Sequence, residues 1–185
     1  MTIYLLDSHS YSPDEKRYPG YDWIKSDQID WFRATTKARK KARDKHGIYG
    51  HLNLAFIHIP LPEYRGLTER VGSRGEDESS PTLNSHFKDA LVDGKVQVVS
   101  CGHDHVNDYC ALSRNTDSHP ELWMCYAGGS GFGGYGGDGY VRRVRVFETD
   151  SQEGLIRTWK RLEWGDMDKR LEEQVIVISG SVVAH

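Results

Sequence analysis

Long apolar runs are missing from this chain of 185 residues. No stretch approaches the ~20 consecutive apolar residues of a membrane-spanning helix, so no membrane partner is expected. Cysteine is scarce: Cys101, Cys110 and Cys125 are the only three, and none forms a C-x-x-C pair. That spacing argues against a disulfide framework and a thiolate zinc site, and makes a reduced, cytoplasmic setting the expectation. Net positive charge is lacking too. At a formal charge of −3, no global basic field recruits nucleic acid or anionic lipid, and no nucleic-acid partner is expected. The opening MTIYLLDSHSY has no basic region and reaches Asp7 early, which reads against a signal peptide.

What is present suits one globular domain: apolar residues are 37% and charged residues 28%, enough to build a core. Thr2 to Leu6 is a short run of strand formers closed by Asp7-Ser8. From Ser26 the pattern turns helical. Ser26 is the expected cap, Asp27 and Asp30 suit the positive end of the dipole, and Ile29, Trp31 and Phe32 give an apolar face. The helix should stop at Gly47, and its basic run Lys37 to Lys45 reads as a solvated back.

Leu52 to Ile59 (LNLAFIHI) is nearly continuously apolar, as in a strand buried on both faces, and Pro60 and Pro62 end it. Arg65 to Pro81 reads as a long surface loop. Thr82 to Asp93 reads as a helix stopped at Gly94, and Lys95 to Ser100 as the next strand. Strand, helix, strand in succession is a βαβ crossover in a parallel sheet. The glycine run GGSGFGGYGG reads as plain connection between strands, since no G-K-[ST] follows it. VRRVRVFET and LIRTWKRLEW alternate with period two around Asp150 to Gly154 and read as a β-hairpin. Residues 1–165 are expected to form the domain, and 166–185 a last strand or a loose tail.

Ligands collect beyond the carboxyl ends of parallel strands. His58 stands at one predicted strand end, and Gly102, His103, Asp104 and His105 stand beyond the next. Gly102 permits a sharp turn through positive φ. Imidazole nitrogen suits Zn, Fe and Mn, so His58, His103 and His105 are the metal-ligand candidates. Asp104 and Asn107 are candidate acceptors that would fix the imidazole tautomers. Glu63, Arg65 and Arg70 are candidates to touch substrate from the rim. No catalytic acid or base is readable. Each reading has a bland competitor: a lone His58 on an apolar strand is more often a satisfied core histidine, and an isolated H-x-H occurs by chance. His9 is an outside candidate; His86 reads as an exposed residue within a helix.

FIHIPLPEY (Phe56 to Tyr64) and CGHDHVNDYC (Cys101 to Cys110) resemble the last two motifs of the calcineurin-like metallophosphoesterases, a strand-end His and a G-H-x-H turn. YDWIKSDQIDWF, NSHFKDAL, YAGGSGFGGYG and GYVRRVRVF look like a fungal branch related to purple acid phosphatases. The resemblance implies an α/β fold, a four-layer α/β/β/α sandwich, around two metal ions (Fe, Zn or Mn). It implies that His58 and His103 bind one metal and His105 the other, and that the substrate is a phosphate monoester on a small molecule or a phosphoprotein. The family's earlier motifs D-x-H, G-D and G-N-H-[DE] are absent. The chain therefore resembles the C-terminal half of the domain: a mixed sheet with a βαβ crossover and a C-terminal hairpin, whose partner would be the missing N-terminal half. With so few protein ligands, metal binding is expected to be partial and hydrolysis slow. The alternatives are an inactive remnant that binds partners or a single metal, and an RNA-binding module, ranked last on its acidic charge.

Overall fold

Apolar side chains on both faces of the same short strands decide the layering. The structure, a computed structural model, describes residues 1–48 and 50–184. Its main sheet has six strands in the order β1 (Thr2–Leu5), β2 (Asn53–Phe56), β4 (Val98–Cys101), β6 (Pro120–Tyr126), β5 (Cys110–Arg114), β3 (Arg70–Val71). The first four are mutually parallel, and β5 runs antiparallel to both β6 and β3. Along β6, Leu122, Met124 and Tyr126 join one core cluster while Trp123 and Cys125 join another. β2 and β4 divide likewise, Ala55 and Val99 to one side, Leu54 and Val98 to the other. Two-sided burial is why these strands read as unbroken apolar runs.

Helices α1 (Ser26–Lys45) and α2 (Phe87–Asp93) cover one face, where Phe32, Phe87 and Leu91 pack with Tyr4, Val99 and Met124. A second, antiparallel sheet covers the other, in the order β10 (Ser181–Val182), β9 (Leu171–Ile178), β8 (Leu155–Leu162), β7 (Arg143–Asp150). Ile156, Ile176 and Val177 pack there against Leu54, Val98 and Trp123. The result is an α/β/β stack, a partial α/β sandwich. It contains the expected crossover β2–α2–β4 and the hairpin β7–β8. Beyond residue 165 the described chain includes β9 and β10, with Ile176 and Val177 fully buried.

Four expectations are corrected. Lys25, not Ser26, is the N-cap of α1, and its N–H donates to Gln28 Oε1 at 2.8 Å. α2 starts only at Phe87, because Asn84 Oδ1 accepts the His86 N–H at 2.8 Å and His86 adopts φ 58°. Such a left-handed residue lies outside a right-handed helix, so His86 caps α2 rather than riding on it. Cys110 and Cys125 are direct register partners on β5 and β6 and form a disulfide; Cys101 is free and buried. Strand pairing brings together two cysteines whose sequence spacing carries no such signal. The segment expected as a surface loop opens with the 3₁₀ turn Pro62–Gly66 and β3, and buries Glu78 and Ser80. No helix among the described residues is long and apolar enough to cross a membrane.

Candidate metal centre

The four parallel strands end along one edge, and each passes its chain to a loop there: β1 to Ser8 and His9, β2 to His58, β4 to Gly102–His105, β6 to the glycine run. Backbone bonds knit these ends. Gly102 N–H donates to His58 O at 3.0 Å, Ala127 N–H to Cys101 O at 2.9 Å, and Ile59 N–H to Ser8 Oγ at 2.8 Å. This is the place where an open α/β sheet holds its ligand.

His58 is exposed, so it is not the satisfied core histidine of the bland reading. Its ring meets that of His103 edge-on, with centroids 5.2 Å apart, and Tyr21 closes the other side of His103 at 4.4 Å. Positive φ falls on His103 (73°) and not on Gly102, and Asp104 N–H closes on Gly102 O at 2.9 Å. A three-residue turn of this hand is rare and strained for a residue carrying a Cβ, and strain of that sort gathers at functional sites. Burial lowers the His103 pKa; the Asp104 carboxylate opposes this, and the neighbouring His58 and His105 reinforce it.

His105 has a different neighbour. Its ring stacks on Tyr135 at 4.2 Å with an interplanar angle of 7°, and its Nδ1 lies 2.9 Å from the Tyr135 carbonyl oxygen. The His105 N–H donates to the Tyr135 hydroxyl at 3.0 Å, which donates in turn to Glu76 Oε1 at 2.7 Å. Burial raises the Tyr135 phenol; the bond from His105 N–H pulls back, the Glu76 carboxylate adds, and the pKa stands at about 12.

The candidate companions serve the scaffold. Asp104 is buried and Oδ2 accepts from Tyr126 hydroxyl at 2.6 Å and Ser79 N–H at 3.1 Å. Asn107 Oδ1 accepts the N–H groups of Gly75 (3.0 Å) and Glu76 (3.1 Å). Both therefore pin the 73–79 segment over the histidine turn instead of taking a proton from an imidazole. Glu63 accepts from Asn84 Nδ2 at 2.9 Å, and Arg65 donates to Ser80 O at 2.6 Å, so both brace the same rim. Arg70 lies over the Tyr109 ring, 5.1 Å from its centroid. His9 is occupied too: Nε2–H donates to Gln28 Oε1 at 2.9 Å. Nothing local in the sequence marks Tyr21, Glu76 or Tyr135, whose partners lie tens of positions away.

The donor type fits a transition metal, since neutral imidazoles at a strand edge are its usual ligands. The donor number falls short. Among the described residues no three His, Cys, Asp or Glu side chains group so as to hold an ion, where a resident metal takes three or four protein ligands.

No family model matches the chain. Individual proteins do. It is 43% identical over 171 residues to "Phosphatase DCR2" of Saccharomyces cerevisiae, a match covering 87% of this chain and 28% of that protein. It is 37% identical over 179 residues to "Probable inactive purple acid phosphatase 14" of Arabidopsis thaliana, covering 88% of this chain and 43% of that protein. "Probable inactive purple acid phosphatase 29" of the same plant is 38% identical over 181 residues, covering 88% and 44%. These likenesses, with the strand-edge histidines on a partial α/β sandwich, are consistent with the C-terminal part of a metallophosphoesterase domain. Its relatives are phosphatase and purple-acid-phosphatase-like proteins, and the chain spans 28 to 44% of their length.

Proposed function

We propose that this segment supplies the imidazoles of a metal-dependent phosphomonoesterase centre, His58 and His103 toward one cation and His105 toward a second, in a domain completed by ligands from outside this chain. Two such cations, of Fe, Zn or Mn, would clamp phosphate oxygens and acidify a bound water. The observation that carries the reading is the His58–His103 pair, held at 5.2 Å by two adjacent strand ends and a strained turn. Completion from outside is supported by the open edge of the main sheet. Ile3 and Leu5 on β1 are 50% and 73% exposed, on the face that Leu54 and Phe56 continue. An exposed apolar edge strand is a surface that a further segment covers.

A second reading, an inactive module holding one metal or a partner, is favoured by the donor count and by the names of the plant relatives. One experiment separates them: hydrolysis of an aryl phosphate with added Mn²⁺ or Zn²⁺, by the chain and by His103→Ala, with Zn²⁺ titrated calorimetrically into both. Metal-dependent turnover lost in His103→Ala supports the phosphoesterase. Zn²⁺ binding without turnover, both in the chain alone and when the completing segment is supplied in trans, supports the inactive module. Turnover that survives the substitution sinks the first reading.

A further inference from the structure

We infer that the glycine run and its Tyr135 are a positioning device for His105, which fixes one tautomer of that ring and presents Nε2 as its free basic nitrogen. The run does connect β6 to β7, as its composition suggests, but connection alone does not explain which of its residues are glycine. A Cβ on Gly134 would sit 2.3 Å from His105 Cε1 and 2.7 Å from Nδ1. One on Gly129 would sit 2.7 Å from the His105 carbonyl oxygen. Contacts under 3.0 Å are essentially never made by real Cβ atoms, so the backbone approaches His105 at these two points only because the side chains are missing. Gly133 meets nothing within 4 Å, and Gly128 answers a different neighbour, with the Arg143 side chain 2.7 Å from where its Cβ would sit, so within the run it is Gly129 and Gly134 that make room for His105.

The approach delivers a carbonyl to the ring. Tyr135 O lies 2.9 Å from His105 Nδ1, and a carbonyl oxygen only accepts, so Nδ1 carries the hydrogen. The neutral ring is then the Nδ1–H tautomer, with the lone pair on Nε2. Tyr135 holds the arrangement from a second direction. Its ring lies flat on the imidazole at 4.2 Å, and its hydroxyl takes the His105 N–H and gives its own proton to Glu76. Glu76 Oε1 also accepts the Val106 N–H at 3.0 Å, which ties the device back to the turn. This deepens the reading of His105 as a metal ligand and rests on it only for the use of the free nitrogen; the tautomer itself is a property of the metal-free chain.

The test is long-range ¹H–¹⁵N correlation of the imidazoles, in metal-free protein, above the pH at which histidine is neutral. Wild type is expected to show His105 chiefly as Nδ1–H, while the exposed His119 reports the Nε2–H form usual for a free imidazole. Gly134→Ala is expected to shift the His105 tautomer ratio about fivefold toward Nε2–H, the equivalent of one net hydrogen bond. Tyr135→Ala, at a half-exposed position the core does not need, is expected to shift it in the same direction and serves if Gly134→Ala fails to fold. Nε2–H at His105 in wild type, or an unchanged ratio in a folded variant, overturns the inference. Because the readout needs neither metal nor turnover, its failure is distinct from that of the phosphoesterase reading.

Discussion

Lys160 on β8 and Asp108, 52 positions apart, meet at 2.9 Å with neither side chain exposed. Asp108 also accepts Arg143 Nη1 at 2.7 Å, the Tyr140 hydroxyl at 3.0 Å and the Ser73 N–H at 2.6 Å, while Glu172 takes the other side of Lys160 at 2.5 Å. One carboxylate thus ties the second sheet and the chain ahead of β7 to the strand that follows the histidine turn. Burial works against ionisation of Asp108, but the bonds from Lys160 and Ser73 and the charges of Lys160 and Arg143 outweigh it and lower its pKa.

Lys160→Ala should therefore cost about 3 kcal/mol, the range for breaking a buried ion pair and stranding its partner. Urea unfolding followed by tryptophan fluorescence gives the number. A loss under about 1 kcal/mol, the size of a surface pair, would mean that the cluster is wetter than described.

Acid should find a second weak point at Glu78, whose side chain is 2% exposed. Burial raises its pKa, yet bonds from Arg74 Nε (2.8 Å) and Nη2 (2.9 Å) and from the Tyr109 hydroxyl (2.9 Å) prevail and hold it at about 2, against a usual 4.5. A carboxylate depressed in the folded state contributes stability that is complete above its unfolded value and disappears as pH falls toward the folded one. Wild-type stability should fall as pH drops from 4.5 toward 2. Glu78→Gln should lose about 2 kcal/mol at neutral pH, as expected for hydrogen bonds to a charged group, and show a shallower acid limb. Parallel acid limbs for the two proteins would exclude Glu78 as the titrating group.

The disulfide closes a loop of 15 residues, for which chain-entropy arguments give about 3 kcal/mol. Cys110→Ala with Cys125→Ala should lower stability by that order, and wild type in a thiol reductant should match the double variant. Reductant without effect on wild type would show that the two sulfurs are not joined in solution.

What the sequence reveals and hides follows physical range. β2, β4 and the hairpin β7–β8 are legible because burial writes a local pattern, continuous where both faces are covered and alternating where one is. His58 and His103 are legible as neighbours because a crossover puts successive strand ends together. The start of α2 is not, since a single Asn84-to-His86 bond turns five helix-compatible residues out of the helix. Nor is the disulfide, which depends on the β5–β6 register, nor the tie of Tyr135 to His105, which spans 30 positions. Gly102 misleads: the residue built to take positive φ does not, and the histidine beside it does.

That last inversion has a measurable consequence. With φ at 73° and Asp104 N–H closed onto Gly102 O, His103 occupies a conformation that costs a residue with a Cβ on the order of 1 kcal/mol. His103→Ala and His103→Gly both delete the ring and its contacts with His58 and Tyr21, so their difference isolates the backbone. His103→Gly should be the more stable of the two by about 1 kcal/mol in urea unfolding. Equal stabilities would mean that the turn relaxes out of positive φ, and the geometry that sets His103 beside His58 would lose its support. A stabler glycine variant, unable to offer an imidazole, would show that strain at this position is retained for the ring it places at the strand edge.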